Sequence, residues 1–203
     1  MKLVKLSCNH ESFKTIEFNP TGLTIILGSK SEGTANSSVN GVGKTQAMRL
    51  VNFCLGSKTN TLTAQTLKHA VPHWIFSLEF KIGKISHIIN RSGDSNTIQL
   101  DGEKIKITQL YDWLNLSGVF PKVNEHTNLS FRSLFRRFLR VEREDSLSPL
   151  TLEKETAYTS LINNAYLMNL DLTLIKQKHM LKEKVEANKV TQKLLKQDSY
   201  LQD

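Results

Sequence analysis

The sequence predicts a mixed α/β protein in which a phosphate-loop unit sits beside an antiparallel sheet and a long helix closes the chain. Three observations predict it. The apolar run Leu23-Thr24-Ile25-Ile26-Leu27 leads through a polar stretch into Asn40-Gly41-Val42-Gly43-Lys44-Thr45, and the segment from Gln46 to Leu55 follows. Alternating apolar residues then recur in pairs separated by Gly83-Lys84 and by Asp101-Gly102. From Glu155 to the C-terminus there is neither proline nor glycine.

The first observation carries chemistry. A buried strand, a glycine-containing loop and a helix opening on Lys44-Thr45 form the context that a nucleotide phosphate loop requires. Unpaired amides and the positive end of the helix dipole favour a bound phosphate together. In this reading Asn40, Gly41, Val42, Gly43, Lys44, Thr45 and Gln46 bind the nucleotide. Lys44 reaches the β- and γ-phosphates, Thr45 puts its hydroxyl on Mg2+, and Gly41 and Gly43 let the backbone approach without a Cβ in the way. The pattern departs from G-x-x-x-x-G-K-[ST] at its first glycine, where Ser38 stands. The polar insertion from Ser29 to Val39 is longer than a tight loop, and suggests a flap over the site.

The other elements follow in order. Leu3–Ser7 reads as a strand paired with Phe13–Phe18, and Asn19-Pro20-Thr21-Gly22 as a turn. Leu23–Leu27 is apolar on both faces except at Thr24, which predicts a central strand carrying the loop at its carboxyl end. The helix from the loop ends near Leu55, with Gly56 as its left-handed cap. Ser57–Gln65 reads as a polar connector. Trp74–Ile82 and Ile85–Arg91 form one hairpin, and Asn96–Leu100 and Lys104–Ile107 another, since Asp-Gly between apolar alternations is a strong turn signal. Gln109–Leu116 reads as a short helix.

Phe131–Arg140 reads as an amphipathic helix with Ser130 as its N-cap. Phe131, Leu134, Phe135, Phe138 and Leu139 share one face, and Arg132, Arg136 and Arg140 repeat every four residues on another. Together with Arg137 these arginines are candidates for docking a phosphate backbone. Ser146–Pro149 is a loop. Beyond it, Leu167, Leu170, Leu174, Leu181, Val185 and Leu195 lie near heptad spacing, interrupted by Lys178, Asn188 and Gln192. About 49 residues, if wholly helical, form a rod on the order of 70 Å. No returning helix is expected in the chain, so the rod calls for a partner.

Composition narrows the class. The chain has 203 residues and a formal charge of +8, which draws polyanions, nucleic acid above all. Cys8 and Cys54, among apolar neighbours, read as buried thiols in a reducing compartment. Lys2 and Lys5 precede no apolar stretch of signal-peptide type, and no run is long enough to span a bilayer, so a cytoplasmic protein with no membrane partner is expected. The histidines show no ligand spacing.

A phosphate loop near the N-terminus, a following antiparallel sheet and a helix leaving as a coiled coil resemble the N-terminal half of an SMC-type ATPase head of the ABC class. The likeness extends to the SMC-like ATPases of bacterial three-component ABC systems and anti-phage defence operons. It rests on Ile26-Leu27-Gly28, the loop at 40–45, Asn52-Phe53-Cys54-Leu55-Gly56-Ser57, Ser130-Phe131-Arg132-Ser133-Leu134 and Leu167-Met168-Asn169-Leu170-Asp171-Leu172. The resemblance implies a head lobe over 1–150 and a helix entering a coiled coil over 151–203, with ATP and Mg2+ as cofactors. It also implies a C-terminal half-head, from the same longer protein or a second chain, that supplies the signature motif and the Walker B pair. Head-to-head homodimers, DNA and effector subunits are the further partners implied.

Neither of those motifs is found in the chain. Leu167–Asp171 places apolar residues before an aspartate, but Leu172 follows where the catalytic glutamate belongs, and the segment reads as helix. The expected function is therefore ATP binding that drives head engagement, with no complete catalytic set in this chain. Two alternatives accompany it. A GTPase or small-molecule kinase fits less well, because Asn188-Lys189-Val190-Thr191 lacks the aspartate for guanine. A structural DNA-binding or oligomerisation module with a vestigial loop is the other.

Overall fold

A computed structural model describes residues 1–26, 44–126, 128–140, 145 and 147–197. The chain divides into two compact units, Met1–Arg143 and Glu144–Asp203.

The first unit is built on a six-stranded, wholly antiparallel sheet. Strands β1 (Lys2–Cys8), β2 (Ile16–Glu17), β3 (Ile75–Ile82), β4 (Ile85–Ser92), β5 (Ile98–Leu100) and β6 (Glu103–Lys104) lie in the order β2-β1-β3-β4-β5-β6. Both expected hairpins form, the second with shorter strands than the expected Asn96–Leu100 and Lys104–Ile107, since Ile107 opens a helix. β3 and β4 pair from Ile75↔Ser92 to Ile82↔Ile85, and β5 turns into β6 through Asp101 (φ 51°) and Gly102 (φ 89°). Those two positive φ values define the turn that suits the twist of a two-residue hairpin, and glycine supplies the second without strain. Alternation sets the faces: Phe76, Leu78 and Phe80 of β3 are buried, as are Ile89 and Arg91 of β4.

Helix α1 (Lys44–Cys54) packs on β3 and β4, and α2 (Leu62–Ala70) packs on α1. Leu50, Val51, Phe53 and Cys54 of α1 enter the core, where Phe53 meets Phe76 edge-on at 6.2 Å. Full burial of each such side chain is worth about 1.5–3 kcal/mol of transfer free energy. Helix α3 (Ile107–Leu116) packs on a single 3-10 turn, Val123–Glu125, and on α4 (Phe131–Phe135).

Several expectations are corrected. Leu23–Leu27 is not a central strand: residues 23–26 stay outside the sheet, with Leu23 74% and Ile25 67% exposed, and Leu27 lies outside the described residues. Local hydrogen bonding accounts for this. Asn19 Nδ2 donates to Leu23 O (2.5 Å) and Asn19 N–H to Thr24 Oγ1 (2.9 Å), a turn assisted by Gly22 at φ 79°, so the segment's first polar groups are used locally. The strand expected over Phe13–Phe18 shrinks to Ile16–Glu17, and Phe13 instead turns its ring edge-on to Phe76 at 6.0 Å. The connector expected over Ser57–Gln65 holds the start of α2, because Thr61 Oγ1 accepts from Ala64 N–H and caps a helix whose Ala64 and Leu67 are buried. Cys54 is buried as expected, whereas Cys8 is only half-buried.

The second unit holds α5 (Ala157–Leu167) and α6 (Leu172–Gln197), packed on each other. The continuous helix expected after Glu155 is therefore broken, and its break falls on Leu167-Met168-Asn169-Leu170-Asp171. Asn169 adopts φ 55°, Leu170 N–H donates to Ala165 O (2.9 Å) and Asn169 N–H to Tyr166 O (3.0 Å), the paired bonds of a Schellman stop with Asn in the left-handed position. Asp171 Oδ1 then accepts from Thr173 N–H (2.8 Å) and starts α6. Contrary to expectation a returning helix does exist: Tyr158 near the start of α5 stacks on His179 of α6 at 3.6 Å. It reaches only part of α6, since 26 residues span roughly 39 Å and 11 span roughly 16 Å. Residues 181–196 are exposed throughout. Among the described residues no helix is long and apolar enough to cross a membrane.

Candidate functional site

Of the residues expected to bind a nucleotide, Asn40, Gly41, Val42 and Gly43 lie outside the described residues, as does the side chain of Lys44. The described part begins with the backbone of Lys44, the first residue of α1. Thr45 is exposed, Gln46 half-buried and Ala47 buried. Thr45 thus stays accessible in the first turn while the body of the helix enters the core.

The opposite end of α1 is closed by the expected Gly56 stop together with two arginines that the sequence reading missed. Gly56 (φ 88°) forms a Schellman stop, with Ser57 N–H donating to Asn52 O (3.1 Å) and Gly56 N–H to Phe53 O (3.0 Å). A Cβ on Gly56 would lie 2.9 Å from Tyr111 Cε1, so the position takes glycine on two counts. Two arginines then add donors. Arg91 Nη1 donates to Phe53 O (2.6 Å) and Ser57 O (2.9 Å), with its guanidinium 4.1 Å over the Phe53 ring, and Arg132 Nη1 donates to Leu55 O (3.1 Å) and Asn52 O (3.4 Å). Positive charge at a helix C-terminus interacts favourably with the dipole. Burial lowers the pKa of each to about 10, and both remain charged at neutral pH.

This placement changes the reading of the basic segment. The single stripe expected of Arg132, Arg136 and Arg140 does not form, because α4 ends at Phe135. Arg132 is committed to the carbonyls of α1. Arg137 is buried, Arg136 and Arg140 are half-buried, and Arg140 Nε donates to Arg137 O (3.2 Å). Phe138, expected on one apolar face with Phe131, Leu134, Phe135 and Leu139, is instead 65% exposed and stacks on Phe120. Ser130 is the N-cap, as expected: its Oγ accepts from Ser133 N–H while Ser133 Oγ accepts from Ser130 N–H.

Sequence reasoning had one signal for Arg91, a cation at a core-facing position of an alternating strand. Ile89 and Arg91 occupy the same face of β4, and the pleat turns both inward. Comparison with protein-family models, characterised proteins and solved structures finds no match for the chain.

Proposed function

We propose that the chain is the ATP-binding N-terminal half-head of an SMC-like ATPase, in which bound ATP and Mg2+ drive head engagement and the helical second unit couples that engagement to DNA or an effector. The observation that carries it is the start of α1 at Lys44-Thr45, directly after Gly41-Val42-Gly43, with the body of the helix fixed on an antiparallel sheet. Lys44 and Mg2+ would neutralise phosphate charge, and oriented amides would hold the oxygens in place. Hydrolysis would need a carboxylate base and a signature motif, both supplied by a C-terminal half-head. The net charge of +8 supports attraction to DNA.

Binding of a fluorescent ATP analogue with Mg2+, measured for the wild-type chain and for Lys44→Ala, tests the reading. The expected result is saturable binding that the variant weakens at least about tenfold, the loss of one strong charge-assisted contact. Equal binding by the two proteins would overturn it. Ser38 in place of the first glycine favours a second reading, a structural DNA-binding or oligomerisation module with a vestigial loop. Duplex binding indifferent to ATP and to Lys44→Ala would support that reading.

A further inference from the structure

A concavity of about 440 Å³ opens beside the end of α1 opposite to Lys44, between the end of β4, the β5–β6 hairpin and the start of α3. Its charged lining is wholly basic: Arg91, Lys104 and Lys106. Ser95 and Asn96 add a hydroxyl and an amide, and Ile98, Ile105 and Ile107 provide an apolar wall. The volume falls within the roughly 300–1,000 Å³ of small-molecule sites.

Arg91 is the unusual member. It is 0% exposed, and among the described residues no carboxylate pairs with it. Two of its donor contacts go to the carbonyls of Phe53 in α1 and Ser57 just beyond it and one, from Nη2, to Ser95 Oγ (3.2 Å) in the pocket wall, while Nε has no hydrogen-bond partner. The end of α1 offers only about half an elementary charge of compensation, yet it receives the guanidinium groups of both Arg91 and Arg132. The two repel, and this repulsion adds to burial in lowering the Arg132 pKa. Buried charge without a counter-ion is costly, and an anion in the pocket removes that cost. Asp94, the carboxylate in the same turn, is occupied by Ser92 Oγ (2.5 Å), Asn96 N–H (2.9 Å) and Asn96 Nδ2 (2.9 Å). Helix α3 begins at Ile107, in the pocket lining, so first-turn amides and the positive dipole end add to the same field.

We infer that this pocket is a second anion site, separate from the phosphate loop, and that it takes a small organic monophosphate whose phosphate faces Arg91, Lys104 and Lys106 and whose body lies on the isoleucine wall. The recess around a buried arginine suits a terminal phosphate of a small molecule better than the diester of a duplex, which needs a broad basic surface. An inorganic phosphate leaves the apolar wall uncovered.

The test is a 15N–1H amide titration of the full chain, without Mg2+, using AMP, adenosine, inorganic phosphate and a short DNA duplex. Lys104 and Lys106 are exposed, so Lys104→Ala/Lys106→Ala leaves the fold intact. AMP is expected to shift the amides of Ser95, Asn96 and Lys106–Gln109. The double variant is expected to weaken it about tenfold or more, and Lys44→Ala to leave it unchanged. Any of four outcomes overturns the inference: no shift at millimolar AMP, adenosine equal to AMP, inorganic phosphate equal to AMP, or binding by the duplex alone. AMP shifts confined to Lys44–Gln46 and lost in Lys44→Ala overturn it too, while leaving the phosphate loop standing. Loss of ATP-analogue binding in Lys44→Ala with AMP binding retained separates the two sites.

Discussion

Helices α1 and α6 both carry apolar residues at helical spacing, and the fold treats them in opposite ways. Leu50, Val51, Phe53 and Cys54 of α1 are almost wholly buried, whereas Leu174, Leu181, Val185 and Leu195 of α6 are each more than half exposed. The difference lies in the surface opposite. α1 faces Phe76, Leu78 and Phe80, aligned on one side of the sheet by strand alternation. α6 packs on α5, which is less than half its length. A helix of 11 residues is marginal in water, so α1 depends on packing. The run of Lys, Leu, Glu, Gln and Ala in α6 lends it intrinsic helix propensity instead. Apolar spacing therefore reports a helix reliably, but the burial of its face depends on whether the chain builds a complementary wall.

Three measurements break or sharpen this contrast. Phe53→Ala removes a ring packed on Phe76 and beneath Arg91, and urea unfolding of the first unit is expected to show a loss of about 3–5 kcal/mol. A loss under about 1 kcal/mol would contradict the placement of α1 on the sheet. Leu181→Ala, the same kind of truncation on the exposed helix, is expected to change stability by no more than about 0.5 kcal/mol. A larger effect that grows with protein concentration in sedimentation would show that a second chain covers α6.

The smallest effect concerns the junction between α5 and α6. The Thr173 N–H donated to the Asp171 carboxylate lowers its pKa, with the Thr173 hydroxyl assisting. A depressed carboxyl pKa stabilises the folded state above the ordinary aspartate range, and that contribution is lost as pH falls through the folded value. The protection of the Thr173 amide, its exchange measured against the intrinsic rate at each pH, is thus expected to fall below about pH 4, where an ordinary aspartate is protonated. Asp171→Asn, which keeps an oxygen acceptor, is expected to remove the pH dependence. An unchanged acid dependence in Asp171→Asn would place the titrating group elsewhere.

Local chemistry made much of the fold legible. The Asp101-Gly102 hairpin, the Gly56 stop and the Ser130 cap each rest on residues within a few positions of one another, and all three form where they were expected. Two local signals were also present and went unread: Thr61 as a helix cap, and Asn169 with Asp171 as a stop and restart. In both, a polar residue able to satisfy backbone groups outweighed the periodicity around it. At the candidate nucleotide site, the sequence made the start of α1 at Lys44 and its stop at Gly56 legible, but nothing marked the Arg91 and Arg132 contacts at that end.

What the sequence determined by itself, then, is the set of strands, helices and stops whose causes are short-range, together with the Gly-Val-Gly-Lys-Thr opening of α1. Only the tertiary structure decided which of them meet. Leu23 and Ile25 have the pattern of a central strand and remain outside the sheet, where Asn19 holds Leu23 O and Thr24 Oγ1 in a local turn. Arg132 reads as a surface cation and instead caps a helix some eighty residues earlier in the chain. Arg91 reads as one polar residue in an alternating strand and becomes a fully buried charge beside a basic pocket. Contacts between distant segments leave no spacing in the sequence to read, because their geometry exists only after the sheet and α1 have packed together.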